Sequence, residues 1–292
     1  MVPQGGLALS PGAPLRLVER WLLAYLAFAT AVALVRVERY PACRWVVLIN
    51  LLVAGFVMLL PRARGSRRAE LLRELAPLLL LTVVYSQIDL LNGSGSATVH
   101  DPLVQRWEAA LFGGQPSRDW WRSAPSAFWS TLLHAAYLSF YAIIFLPPLV
   151  ALHRDDRAGA RRAVEWTMST FLVCYVVFVL FPVAGPYYEF ARPTGTFIDN
   201  FAARMVYRVT GGGSAFGAAF PSSHVAAAVT AAGAGFTLNV AMGIGLALLT
   251  LLLAVGTVYC QMHYGIDALA GLGVGLLMVG LGWFRSRRSV AA

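Results

Sequence analysis

Two histidines and an aspartate stand at the foot of apolar stretches in the last quarter of the chain. The segments read Phe216-Gly217-Ala218-Ala219-Phe220-Pro221-Ser222-Ser223-His224 and Tyr259-Cys260-Gln261-Met262-His263-Tyr264-Gly265-Ile266-Asp267. Ionisable groups at membrane spans are costly and usually functional. His263 and Asp267 are four apart, so a helix would set both on one face. A carboxylate there can fix the imidazole tautomer and stabilise its charged form, as the aspartate of a hydrolase triad does. The other ring nitrogen is then free to attack phosphorus. The same pair also fits a simple interfacial hydrogen bond. His224 separates the two readings. It follows Pro221-Ser222-Ser223 at the start of an alanine-rich helix over 225–234. Backbone N–H groups at a helix N-terminus face an anion, and the hydroxyls of Ser222 and Ser223 add donors. Helix capping explains a serine but leaves the histidine without a role. A histidine beside a phosphate can protonate the departing oxygen.

The elements that position these groups are apolar helices. The chain has 292 residues, of which 58% are hydrophobic and 13% charged; a soluble domain carries about 25% charge. This composition predicts an all-α integral membrane protein. No segment alternates as barrel strands do. Eight stretches approach the roughly 20 residues a span needs: 18–35, 45–60, 75–91, 127–152, 163–182, 222–240, 242–260 and 266–284. The division expected is a two-span extension over 1–74 and a six-span catalytic core over 75–292. The stretch 21–35 follows Arg16 and Arg20 but runs into Arg-Val-Glu-Arg rather than a cleavage site, so it reads as an uncleaved span. Cys43, Cys174 and Cys260 form no spaced framework and read as packing residues. Gly271, Gly273 and Gly275 read as close helix packing.

The net charge of +9 contains no lysine. It reflects positive-inside loops rather than nucleic-acid binding, because no basic run is interleaved with aromatics. With loops sorted alternately, 14 of the 23 cationic residues fall on one side, at Arg16, Arg20, Arg62, Arg64, Arg67, Arg68, Arg73, Arg154, Arg157, Arg161, Arg162, Arg285, Arg287 and Arg288. That side should be cytoplasmic. The expectation is a cell-membrane protein with both termini inside and the histidines facing out. Two outer segments are more than linkers. Residues 101–121 open on Asp-Pro and repeat Leu103, Trp107, Ala110 and Leu111 at helical spacing, which predicts one helix lying in the interface. Residues 183–221, with Pro186, Pro193 and the run Gly211-Gly212-Gly213, predict an irregular loop roofing the site.

Pro-Ser-Ser-His followed 39 residues after its histidine by His-Tyr-x-x-Asp resembles the type-2 phosphatidic acid phosphatase superfamily, which also includes vanadium haloperoxidases. The resemblance covers roughly residues 75–284. The Leu-Phe-Gly-x-x-Pro run at 111–116, the Pro-x-Ala-Gly-Pro-Tyr-Tyr run at 182–188 and Thr257-x-Tyr259-x-x-x-His263-Tyr264 are similar to the inositol phosphorylceramide synthase branch. The resemblance implies that His263 is a nucleophile forming a phosphohistidine and that Asp267 orients it. His224 would protonate the leaving group and then activate the acceptor. No metal and no cofactor are implied. The substrate would be a phospholipid or polyprenyl phosphate drawn from the surrounding membrane lipids. An inositol, sugar or lipid alcohol as acceptor makes a phosphotransferase, and water makes a phosphatase. A non-catalytic lipid-binding or transport protein on the same fold is a further reading.

Two motif cations of the superfamily are missing. Gly185 stands at the position of a lysine, and Gly256-Thr257 replaces Ser-Arg. A phosphate dianion still needs partners. Arg192, in the retained Arg-Pro, is the first candidate. Arg204 and Arg208, or Arg118 and Arg122, are the others. Tyr187, Tyr188, Asp89 and His134 are candidates for the pocket wall. Nothing in the sequence fixes an oligomeric state.

Overall fold

The computed structural model describes residues 14–62 and 67–291. Arg64, counted among the cytoplasmic arginines, lies outside them. The order is α1 (Leu17–Arg36), α2 (Cys43–Leu59), α3 (Arg67–Leu79), α4 (Leu81–Leu91), α5 (Asp101–Phe112), α6 (Pro116–Ser123), α7 (Ala127–Leu138), α8 (Phe140–His153), α9 (Arg157–Leu180), α10 (Pro186–Glu189), α11 (Phe201–Gly213), α12 (Ser223–Leu238), α13 (Val240–Tyr259) and α14 (Gly265–Ala291). Among the described residues there is no strand, only an isolated bridge between Val183 and Ala218.

Among the described residues, six helical stretches are long and apolar enough to cross a membrane: Leu17–Arg36, Cys43–Arg62, Arg68–Leu91, Arg157–Leu180, Val240–Tyr259 and Gly265–Arg287. The chain is therefore a multi-pass membrane protein. Two of the eight expected spans take other forms. The stretch 127–152 is the pair α7 and α8, bent by 40°. At the bend Ser139 Oγ donates to the Ala136 carbonyl at 2.6 Å, a back-bond of the kind found where helices bend. The stretch 222–240 is the 16-residue α12, about 24 Å long against a bilayer core of about 30 Å.

Helix α12 is the hub. Most of its residues are buried, among them Val225, Ala226, Ala227, Ala228, Ala231 and Ala232, because α8, α9, α13 and α14 surround it. Small side chains let those neighbours approach. A Cβ on Gly275 would lie 2.7 Å from the Ala226 carbonyl oxygen, and one on Gly271 would lie 2.4 Å from that of Ser222. Those two glycines serve close packing, as expected. Gly273 faces open space, since it lies on the opposite face of α14.

At the arginine-rich end, ion pairs fasten α1 to the helices around it. Buried Glu19 accepts from Arg73 at 2.7 Å. Buried Glu74 accepts from Arg16 at 2.8 Å and Arg161 at 3.1 Å. Pro77 cannot bond back to the Arg73 carbonyl, and Arg16 Nη1 donates to that oxygen at 3.4 Å instead. At the other end Arg36 donates to the carbonyls of Leu91 and Val179, both at 2.9 Å, and so closes the C-termini of α4 and α9.

Two expectations about the outer segments are corrected. The single interfacial helix over 101–121 is two helices, because Gly113 ends α5 in the left-handed conformation at φ 73°. The segment 183–221 is not irregular throughout. It carries α10 and the 13-residue α11, whose first turn is capped by Asn200 accepting from Ala203 N at 2.8 Å.

Candidate active site

Three loops converge on one cavity. They are the turn after α9 (182–188), the segment 214–222 leading into α12, and the turn 260–264 between α13 and α14. The first two are stitched by backbone bonds, Val183 N to Gly217 O at 3.1 Å and Ala219 N to Val183 O at 2.9 Å. The third is drawn back onto α13, where the Thr257 carbonyl accepts from the N–H groups of Met262 and His263, each at 2.9 Å. Ser222 N donates to the Asp267 carbonyl at 2.9 Å, which ties the start of α12 to the start of α14.

Helix α5 locks these loops with carboxylates. Its exposed face carries Trp107 and Leu111, while Asp101, Val104 and Glu108 are buried. Asp101 accepts from the N–H groups of Ala184 and Gly185, both at 2.7 Å, and from Tyr264 Oη at 2.9 Å. Glu108 accepts from Gly265 N at 2.7 Å and Ser117 Oγ at 3.0 Å. Burial pushes the Glu108 carboxyl above the usual carboxylate range, against the opposing pull of those two donors. Tyr264 and Gly265 follow His263 directly, so both carboxylates act on the turn that carries the histidine. Neither was singled out from sequence, where Asp101 reads only as a helix start. The detectable signal is an acid pair at i and i+7 on a helix whose apolar face is elsewhere.

The cavity has a volume of about 290 Å³ and lies between α4, α7, α8, α9, α11 and the three loops. His224, His263, Ser223, Tyr187 and Tyr188 line it. His263 Nε2 and His224 Nδ1 are 3.4 Å apart. Asp267 Oδ2 lies 3.5 Å from His263 Nδ1, on the far side of the ring. Burial draws the His263 imidazole down to about 4, against a backbone hydrogen bond to Ala219, so it stands neutral. Tyr137 Oη is 3.2 Å from His224 Nε2. The remaining wall is largely aromatic and aliphatic, including Leu81, Tyr85, Phe140 and Phe171.

Other expected site residues lie elsewhere. Ser222 is the cap of α12, its Oγ accepting from Val225 N at 3.4 Å, and it does not line the cavity. Asp89 accepts from Phe216 N at 3.2 Å and braces the loop from behind. His134 bonds within its own turn to Ser130 and packs on Phe197 and Tyr207. Arg204 pairs with Asp199 at 2.8 Å on the surface. Arg208, one turn on, is exposed, because α11 turns Val209 and Thr210 to the cavity instead. Arg118 pairs with Asp119. Arg122 is taken up by Gln261 Oε1 at 3.1 Å and the Ala191 carbonyl at 2.7 Å. Arg192 is exposed and stacks on the Tyr187 ring at 4.3 Å. It sits behind one wall and does not line the cavity.

One of the two missing motif cations has a steric reason. Gly185 has φ 93°, and a Cβ there would lie 2.8 Å from that of Ala219; a lysine does not fit this backbone. Gly256 stands at the serine of Ser-Arg, and a Cβ there would lie 2.8 Å from the Leu133 carbonyl oxygen, where α13 crosses α7; the arginine position itself is Thr257, which is buried.

The model of the PAP2 superfamily matches residues 103–281, more than half of the chain. The chain belongs to the PAP2 superfamily. Membership supports a phosphatase-type activity on phosphate esters, and the matched residues include both histidines and Asp267. Comparison with curated proteins and with solved structures returns no significant match.

Proposed function

We propose that this PAP2 protein is a membrane phosphotransferase. It cleaves a lipid-linked phosphate ester through a phosphohistidine on His263 and passes the phospho-headgroup to an alcohol. The observation that carries the reading is the line of Asp267, His263 and His224 on one cavity, at 3.5 and 3.4 Å. Asp267 holds the proton on His263 Nδ1 and leaves Nε2 to attack phosphorus. His224 protonates the departing oxygen and then deprotonates the acceptor. The aromatic and aliphatic wall suits the lipid part of the substrate.

The lining favours one charge state. Among the described residues no arginine or carboxylate lines the cavity. A buried dianion without cations is strongly disfavoured, whereas a phosphodiester carries a single charge. Ser223 and the N-terminal N–H groups of α12 supply its donors. A diester also makes transfer of a headgroup the natural outcome, with inositol, a sugar or a lipid alcohol as acceptor. Arg192 acts at the rim as an entry cation. The runs at 111–116 and 182–188 support the inositol phosphorylceramide synthase branch. With water as acceptor the same residues give a phosphatase.

The deciding assay incubates purified protein with labelled phospholipids and polyprenyl phosphates, with and without inositol or sugars. Transferred product in excess of free phosphate is expected. Free phosphate alone would make the protein a hydrolase, and binding without turnover a lipid carrier.

An eight-crossing topology with the site facing outside the cell membrane completes the reading, supported by the arginine asymmetry. All three native cysteines are buried. Thr196→Cys should therefore react with a membrane-impermeant maleimide in intact cells while Ala158→Cys stays unlabelled. The reverse pattern would invert the orientation.

A further inference from the structure

His224 has two ring nitrogens, and the reaction above uses one of them. Nδ1 faces His263; Nε2 is turned away, with Tyr137 Oη at 3.2 Å. Tyr137 lies near the end of α7, just before the bend at Ser139, and the same bend sets Phe140 against His224 at 4.5 Å between ring centroids. Both aromatic groups hold the imidazole, but only Tyr137 offers it a polar atom.

The proton positions follow from the chain of contacts. In the mechanism proposed above, His263 carries its hydrogen on Nδ1, 3.5 Å from Asp267 Oδ2, and a lone pair on Nε2. A second lone pair on His224 Nδ1, 3.4 Å away, would repel it. Resting His224 therefore holds its hydrogen on Nδ1, and its Nε2 accepts from the tyrosine hydroxyl. A hydroxyl both donates and accepts. When His224 is the imidazolium, the hydroxyl rotates and accepts from Nε2–H.

We propose that Tyr137 is a positioning residue of the reaction, holding His224 Nε2 so that Nδ1 alone exchanges protons with leaving group and acceptor. This rests on the histidine mechanism proposed above. The reacting form of His224 is the imidazolium, its second proton taken up on Nε2 from water as the anionic substrate binds. As His263 Nε2 bonds to phosphorus and the ester P–O bond breaks, Nδ1–H passes its proton to the leaving oxygen. His224 is then neutral, with Nε2–H retained on Tyr137 and the Nδ1 lone pair facing the phosphohistidine. The acceptor hydroxyl attacks phosphorus, the P–N bond breaks, and the acceptor's proton goes to Nδ1. The proton given to the leaving group is replaced by that of the acceptor, and Tyr137 neither gains nor loses one.

The test compares two leaving groups on one phosphate: an alkyl alcohol, which must be protonated as it departs, and 4-nitrophenol, which need not be. Single-turnover rates are measured for wild type, Tyr137→Phe, His224→Ala and His263→Ala. Tyr137→Phe keeps the ring that packs on His224 and removes only the hydroxyl. It should slow the alkyl ester about 10- to 100-fold, a fraction of what general acid catalysis supplies, while the 4-nitrophenyl ester stays within about threefold. His224→Ala should show the same selectivity more strongly, and His263→Ala should stop both. Equal slowing of both esters by Tyr137→Phe would make Tyr137 a packing residue and overturn the proposal, as would a normal alkyl rate. Undiminished turnover by His263→Ala would remove the histidine mechanism itself.

Discussion

The two ends of the helical bundle handle buried carboxylates in opposite ways. At the arginine-rich end, Glu19 and Glu74 are met by guanidinium groups of Arg73, Arg16 and Arg161. At the cavity end, Asp101 and Glu108 are met by backbone N–H groups and hydroxyls. The first arrangement joins helix to helix and places cations where α1, α3 and α9 meet. The second joins helix to loop and keeps cations away from the histidines. A site that must bind one anion without holding it too tightly is better built by the second. On the proposed mechanism, the charge near the phosphate changes with the protonation of His224 and not with a fixed arginine.

Breaking a carboxylate at the cavity end should show the largest effect. Asp101→Ala strands two N–H groups and the Tyr264 hydroxyl; each buried orphan costs about 1–3 kcal/mol. Turnover should fall about 100-fold as the His263 turn loosens, with a lower melting temperature. Normal turnover at normal stability would mean the loops hold without α5. Arg73→Ala at the opposite end leaves Glu19 buried without its guanidinium, held only by Arg16 N at 2.7 Å, and the loss should approach the roughly 3–5 kcal/mol of a broken buried pair. There the fall should be in stability, with kcat within about threefold once the protein is folded. A kcat defect matching that of Asp101→Ala would erase the distinction between the two ends.

Smaller effects sharpen the comparison. Arg192→Ala removes a rim cation stacked on Tyr187, a contact of about 0.5–1 kcal/mol at an exposed site. It should raise KM by less than about tenfold and leave kcat nearly unchanged. Arg204→Ala, which breaks an exposed pair with Asp199, should be close to neutral. A large kcat loss in either would put an arginine back on the phosphate.

How far the sequence foretold this molecule depended on whether a feature is local. Hydropathy marks the spans because lipid demands it along a contiguous stretch, and the histidine motifs are legible because each is a short run. Asp101 and Glu108 were missed because their partners lie 83 and 157 residues away. Tyr137 was missed because one tyrosine in an apolar run carries no pattern. Gly185 was read as a lost lysine, and its positive φ became visible only with the loop around it. Helix α11 was hidden by a glycine run that sits at its C-terminal end. The break in 127–152 is a local bend at Ser139, which hydropathy does not weigh.

The central claim is a covalent bond between His263 and phosphorus. Purified protein mixed for milliseconds with substrate labelled in the phospho-headgroup, then quenched in base, should carry label that survives base and is released by acid. Peptide mapping should place it on His263. His263→Ala should carry no label and lose roughly 10³-fold or more in turnover. Turnover at the wild-type rate by His263→Ala, with no labelled histidine in either protein, would contradict the account.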